Sequence, residues 1–409
     1  NALTTQNAAS AGDNVHNVAV GSYAGNSLTT GTLNVFIGGH AAGGAAVSGD
    51  NNVGIGYSAL NQVAGASNNT AVGSYAGDAI SSGADNTAFG YAALSTCATG
   101  TRNTALGRNT LNLGTGNDNT GIGYGCMENT STGDLNTAIG KGSLGAQTTG
   151  TRNVAVGYNA SSACTIGRYN TSLGYHALST DIDGDWSVAI GYGALWQQES
   201  DDVNQAVYNT AVGSYAGTNL TSGIKNTFVG GGAAGAGVVT GDENTAVGNT
   251  ALNAITSGIG NSCLGYYAGL SITTGGNNTC IGYDAGIAGS PGGAITTGNN
   301  FVCLGDENIT AAHIQVDWTI ASDERDKTDI EDLDVGLEFV NQLQPKTYRW
   351  DQRSLYSNEQ DVLPDGTYKK DQLDVGFLAQ DVATLEEQLG FGKSDKKNLI
   401  SSLSEDGQM

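Results

Sequence analysis

One five-residue phrase returns throughout the first three quarters of this chain: Asn, two small or β-branched residues, an aliphatic residue, then Gly. It opens at Asn17, Asn34, Asn52, Asn69, Asn86, Asn103, Asn119, Asn136, Asn153 and Asn170, and again at Asn209, Asn226, Asn244, Asn261 and Asn278. Two more copies, from Ser187 and Phe301, lack the Asn and keep the rest, which makes 17 copies at steps of mostly 16 to 18 residues. A period this short leaves no room for a strand, a helix and their turns. It suits one β-coil of two short strands and two turns, stacked on its neighbours. At about 4.8 Å per coil the stack reaches roughly 80 Å. With 63 glycines and 3 prolines the composition would ordinarily signal disorder, but here the glycines keep a fixed spacing.

Within each coil the phrase reads as a strand, its small residues on one face and its aliphatic residue on the other. A second glycine stands three residues before most of the Asn positions (Gly31, Gly83, Gly133 and Gly223 among them), where it is expected to supply the positive φ of a tight turn. Cys263, Cys280 and Cys303 fall two residues into the phrase, where other copies carry Ala, and are expected to stack inward as free apolar thiols. The Asn column reads as a ladder of side-chain amides bonding coil to coil. Ala, Val, Ile and Gly bury little area, so a single chain is expected to lack core and three chains to pack about a common axis. The tandem pattern resembles the NxxxG repeats of trimeric β-roll adhesin heads and of phage fibres. The fold class expected is therefore mostly β: a homotrimeric β-solenoid shaft, either β-roll or triple β-helix, with a small α+β domain behind it.

Two coils are longer than the rest, one between Ser187 and Asn209, the other between Asn278 and Phe301 and carrying Pro291. Extra residues in a solenoid are expected to leave as surface loops. The first holds Trp196 with Glu199, Asp201 and Asp202, a stacking ring beside acceptors that would suit a sugar receptor. Those acids lack EF-hand spacing, and no Cys/His cluster suggests zinc, so no metal or cofactor is expected. The glycine run Gly121 to Gly125 is a coil with no helix after it, not a nucleotide loop, and His40 and His176 occupy equivalent turn positions. A formal charge of −23 argues against nucleic acid as partner, and no run is long and apolar enough for membrane insertion. The chain opens on Asn1 rather than Met, as a processed or partial chain would.

The character changes near residue 306, from which point only 6 glycines remain but 10 of the 16 basic residues and 23 of the 39 acidic residues are found. Residues 1–305 are read as shaft, 306–321 as an exit strand and linker, and 322–409 as a separate domain. His313 to Ala321 alternates like a strand, and helices are expected around Ile330 to Leu343 and Leu378 to Leu389, with Lys346 to Asp351 extended between them. The domain opens with Ser322, Asp323, Arg325, Lys327 and Ile330. Pro345, Tyr348 and Trp350 follow, then Val375, Gly376, Phe377, Ala379 and Gln380. These phrases, in this order, resemble the intramolecular chaperone domain, a self-cleaving serine peptidase, at the C-terminus of phage tail spikes and fibres.

That resemblance implies a domain that trimerises, guides the shaft into register and is then released by a Ser–Lys dyad, with Ser322 as nucleophile and Lys327 as general base. A serine hydroxyl needs such a base, and a lysine serves only where its pKa is lowered. Two features depart from the family pattern. Asp326 stands where the family has an apolar residue and favours protonated Lys327, and the chain ends at Met409, before the long terminal helices. At most, then, the chain is an enzyme upon itself. The function implied is a virion tail fibre acting in host attachment. Its partners would be two further copies of itself, other tail proteins, and a cell-surface receptor of carbohydrate or outer-membrane type. The alternative is a trimeric adhesin or prophage filament on a bacterial surface.

Overall fold

The computed structural model describes residues 15–111, 116–200, 205–310, 336–349 and 371–389, with the short pieces 2–3, 202–203, 351, 366 and 369. It divides into two compact units, Asn1–Ile309 and Thr310–Met409. In the first, every copy of the phrase contains one three-residue strand, from β1 (Val18–Val20) to β17 (Val302–Leu304). Each strand pairs in parallel with the next, one repeat further along the same chain: Thr137 lies beside Val154, Ala138 beside Ala155, Ile139 beside Val156. Stacking is therefore within one chain, which makes the shaft a single-chain β-solenoid and not an interwoven triple β-helix.

The strand phase follows from the period-2 alternation of side chains. In β8 (Thr137–Ile139) Ala138 is buried while Ile139 faces out, and the same inward–outward choice recurs along the stack. Cys263, Cys280 and Cys303 take the inward position in three successive strands, and all six cysteines are buried and free. Burial pushes the thiols of Cys97 and Cys126 up to about 11. With Ala come Leu60, Leu94, Leu144, Leu195 and Leu252, and Phe36 and Phe228, all fully enclosed. One chain thus builds its own interior, contrary to the expectation that it lacks one. Short side chains suffice because opposite walls of so thin a coil lie close together.

Two expectations about the coil need correction. Among the described residues of the shaft the second strand is not formed; outside β1 to β17 they hold only isolated bridges such as Leu28 with Val47. Coils still bond to one another there, as in Leu60 N–H to Ala76 C=O at 3.0 Å. The corners consume the residues that a second strand would need. In most coils they include non-glycine residues with positive φ, for example Arg152, Asn159 and Ser161. The glycines three before each Asn do not have positive φ. They are glycines because the next coil presses on them: a Cβ on Gly31 would lie 2.5 Å from the Gly49 carbonyl oxygen. The phrase-ending glycines do need both freedoms, as at Gly123, with φ of 139° and a Cβ position 2.6 Å from Gly140 O.

The Asn column is a ladder that runs from coil to coil on either side of Ser187. The Asn136 backbone N–H donates to Asn119 Oδ1 at 2.9 Å, and its Nδ2 donates to Gly150 O at 3.0 Å. Its own Oδ1 accepts the N–H of Asn153 at 2.9 Å. The same bonds recur at Asn34, Asn86 and Asn261, with both atoms of the amide buried.

In the second unit, helix α1 (Gly336–Gln342) and strand β18 (Lys346–Tyr348) precede strand β19 (Asp374–Gly376) and helix α2 (Ala379–Gln388). The two strands pair antiparallel, Thr347 opposite Val375. Phe339, Val382 and Leu385 form the core, with Leu343 and Leu389 against it. Both expected helices are present, that of α1 beginning at Gly336 within the described residues. The proposed exit strand at His313 to Ala321 lies outside them.

Replacing Asn136 by Ala would leave Asn153 N–H without a partner inside the coil and Gly150 C=O with Gln147 Nε2 alone. We expect a loss of about 1–3 kcal/mol for the orphaned group, measured by denaturant unfolding. A Thr137→Ser change, on the outer face of the same strand, should shift the midpoint far less.

Candidate functional site

The residues named in the long coil after Ser187 have different surroundings. Trp196 is half-buried, its ring stacked on His176 at a centroid distance of 5.0 Å, and its carbonyl accepts from Thr180 Oγ1 at 2.7 Å. Glu199 is exposed and its N–H donates to Thr221 O at 3.0 Å. Asp202 is exposed and its carbonyl accepts from Gln205 N–H at 3.1 Å. Asp201 lies outside the described residues. Trp196 therefore belongs to an aromatic row along the shaft, and no bond joins its ring to either described acid.

What the sequence reading missed in this coil is Gln198. It points into the shaft and is fully buried. At Ser187 the Asn ladder lacks its amide, and a serine hydroxyl is too short to span the gap. Gln198 fills it: Nε2 donates to Ser187 Oγ at 2.9 Å and to Asp181 Oδ2 at 2.6 Å, while Oε1 accepts from Asn209 Nδ2 at 3.0 Å. Thr130, Gln147, Cys164, Asp181 and Gln198 occupy one inward column at a spacing of 17, a position held elsewhere by Ile80, Ile255 or Ile272. This polar stretch divides the apolar interior into two clusters, one ending at Cys164 and the other beginning at Ala177.

Burial raises the carboxyl of Asp181 above its ordinary value of 3.8, against the opposing hydrogen bonds from Gln198 and Gly184 N–H. Asp183 turns instead to the Ser200 hydroxyl, and Asp185 to the Arg168 backbone N–H. The triplet does not converge, and among the described residues no three His, Cys, Asp or Glu gather as a metal site.

A second feature lay in plain view of the sequence. The fifth or sixth residue after most phrase openings is Tyr, His, Arg or Lys. These side chains form an unbroken exposed row from Tyr23 through His40, Tyr57, Tyr75 and Tyr91 to Tyr215. Arg108 and Lys141 take two of its rungs. A search for helical or strand periodicity passes over such a row, because its period is that of the coil.

In the second unit the two quoted phrases meet: Pro345 leads into β18 and Val375–Gly376 lies in β19, so Tyr348 stands opposite Asp374. Leu337, Val340, Val375 and Phe377 are exposed, and a groove of about 720 Å³ runs beside Leu343, Lys346, Phe377 and Asp381. Ser322 and Lys327 lie outside the described residues. Residues 322–390 match the family model described as the chaperone of endosialidase. The C-terminal segment is a chaperone-of-endosialidase domain. No curated protein matches the chain. A chaperone-of-endosialidase domain behind a parallel β-solenoid of this length fits a tail fibre or spike with its trimerisation chaperone.

The raised Asp181 pKa has a defined sign. The folded state binds the proton more tightly than the unfolded chain, so the stabilisation is complete below the unfolded value of 3.8. It is lost as pH rises through the folded value. An Asp181→Asn variant cannot ionise, so its stability relative to the parent should rise between pH 4 and pH 8, on top of a constant loss from the one hydrogen bond that an amide nitrogen cannot accept. Thermal midpoints of both proteins across that range check the trend.

Proposed function

We propose that the chain is the shaft and folding domain of a homotrimeric host-attachment fibre on a virion tail, released from its chaperone by cleavage beside Ser322. The observation that carries this reading is the placement of a chaperone-of-endosialidase domain directly after a 17-strand solenoid. Such a shaft has a registration problem, since every repeat resembles its neighbours and a one-coil slip would still pair strand with strand. A terminal domain that brings three chains together in register removes the problem.

The outer faces of the strands support the trimer. All outward positions from β1 to β17 are Thr, Ser, Val, Ile, Leu or Phe, with no charged residue, in a chain of net charge −23. Phe89, Leu106, Leu173 and Leu264 are each roughly half exposed (44–53 %). A continuous apolar strip of this length is unusual on a protein that remains single, and two further copies of the same face are its fitting cover. The exposed Leu337, Val340, Val375 and Phe377 offer a second such surface in the chaperone domain. On this reading the Ser322 hydroxyl gives its proton to Lys327 and attacks the carbonyl of the adjoining peptide bond. The C–N bond breaks as Lys327 returns the proton to the leaving amine, water hydrolyses the resulting ester, and Asp326 slows the first step by favouring charged Lys327. Removal of the chaperone then makes the trimer kinetically stable, since an opened shaft loses its route back.

Native and intact mass spectrometry of the parent and of Ser322→Ala test both halves. The expected outcome is a shortened trimer for the parent and a full-length trimer for the variant; monomers in both would reject the fibre. Ile139→Asp on the outer strand face should weaken the trimer by at least about tenfold while leaving the far-UV dichroism of the coil unchanged.

A further inference from the structure

The exposed aromatic row contains one place unlike the rest. Arg108 lies 5.4 Å from the Tyr91 ring centroid and 5.9 Å from that of Tyr124. Lys141 follows at 5.8 Å from Tyr124 and 5.6 Å from Tyr158. Both cations are exposed, and neither makes an ion pair with any described residue. The three ion pairs among the described residues of the shaft take up Arg102, Arg168 and Lys225 instead. Two unpaired positive charges thus flank an exposed tyrosine on a strongly acidic chain.

We propose that Arg108, Tyr124 and Lys141 form a binding site for an acidic polysaccharide, one that carries carboxylates on alternating sugars of a linear chain. The inference rests on the attachment reading above and names the class of receptor. Two rungs separate the cations, about 10 Å at the spacing of parallel strands, close to the length of a disaccharide unit. Carboxylates on every second sugar would meet Arg108 and Lys141 in turn, and the guanidinium can grip one in two parallel hydrogen bonds. Between them the Tyr124 edge and hydroxyl meet the intervening ring, as amphipathic aromatic side chains do at wet interfaces. The shaft runs on beyond both ends of the site with Tyr91, Tyr75 and Tyr57 on one side and Tyr158, Tyr175 and Tyr192 on the other. A long chain could therefore lie along the row, with the two charges setting its position. Two cations are too few to hold a polyphosphate against a net charge of −23. An acidic side chain on this turn, Glu128, lies over Gly125, where a Cβ would meet its Oε2 at 3.1 Å. It opposes an anionic ligand without neutralising either cation.

The test is titration calorimetry on the full chain with a hyaluronan hexasaccharide, maltohexaose and a single-stranded oligothymidylate, at low and at moderate salt. The hyaluronan hexasaccharide should bind, more weakly as salt rises, and the neutral oligosaccharide at least about tenfold less well. Arg108→Gln with Lys141→Gln should cost about tenfold, as expected for two exposed ion pairs. Glu128→Gln should tighten binding. Equal affinity for the two sugars, indifference to the double substitution, or preference for the oligonucleotide would each overturn the site. Native mass of the same samples reports separately on the trimer, so a failed site in an intact trimer leaves the fibre standing.

Discussion

Fifteen of the 17 coils of the shaft depend on the side-chain amide of one asparagine, which links a coil both to the coil behind and to the coil ahead. Asn136 shows why no other residue serves. Its oxygen must accept a backbone N–H from one direction while its nitrogen donates to a carbonyl in another. Asp lacks the donor and would bury a charge, and Gln is a methylene too long for the same site. Because the amide is buried, each bond is made in a low dielectric, and each missing partner leaves a polar group stranded. The rest of the coil is arranged around that requirement: small inward residues keep the walls close, and glycines let adjacent backbones touch.

The one interruption of the ladder shows how strict the requirement is. At Ser187 the amide is supplied from elsewhere, by Gln198 on the inward face of the same coil. Accommodating that amide brings Asp181 and its raised pKa into the interior and splits the apolar core in two. Within that long coil the inward Gln198 acts as a structural repair. The outer surfaces, freed from holding the coil together, can carry other properties: an uncharged strand face on one side, and an aromatic row with two unpaired cations beside it.

The two units solve different problems by different means. The shaft closes on nearest neighbours, each strand bonded only to the strands one repeat away, so its stability accumulates coil by coil. The chaperone-of-endosialidase segment uses ordinary packing, with Phe339, Val382 and Leu385 between two helices and a two-stranded ladder. A repeat with many equivalent registers gains most from a partner domain that has a single one.

Much of this was legible from residue order. The period, the strand within each phrase, the inward phase of Cys263, Cys280 and Cys303 and the amide ladder all follow from positions spaced by a constant step. The alternation of side chains along a strand is fixed by the backbone, so these follow without knowledge of the fold. The C-terminal phrases likewise disclosed their family. Three things required the tertiary structure. The glycines before each Asn are there for contact with the next coil, which no local turn rule reveals. Gln198 turns inward because of a gap created by Ser187, a residue eleven positions away. The row from Tyr23 to Tyr215 exists only once the coils are stacked, since its members are distant in sequence and neighbours only in space. Local spacing determines which way a side chain faces; only closure of the coil decides what it meets there.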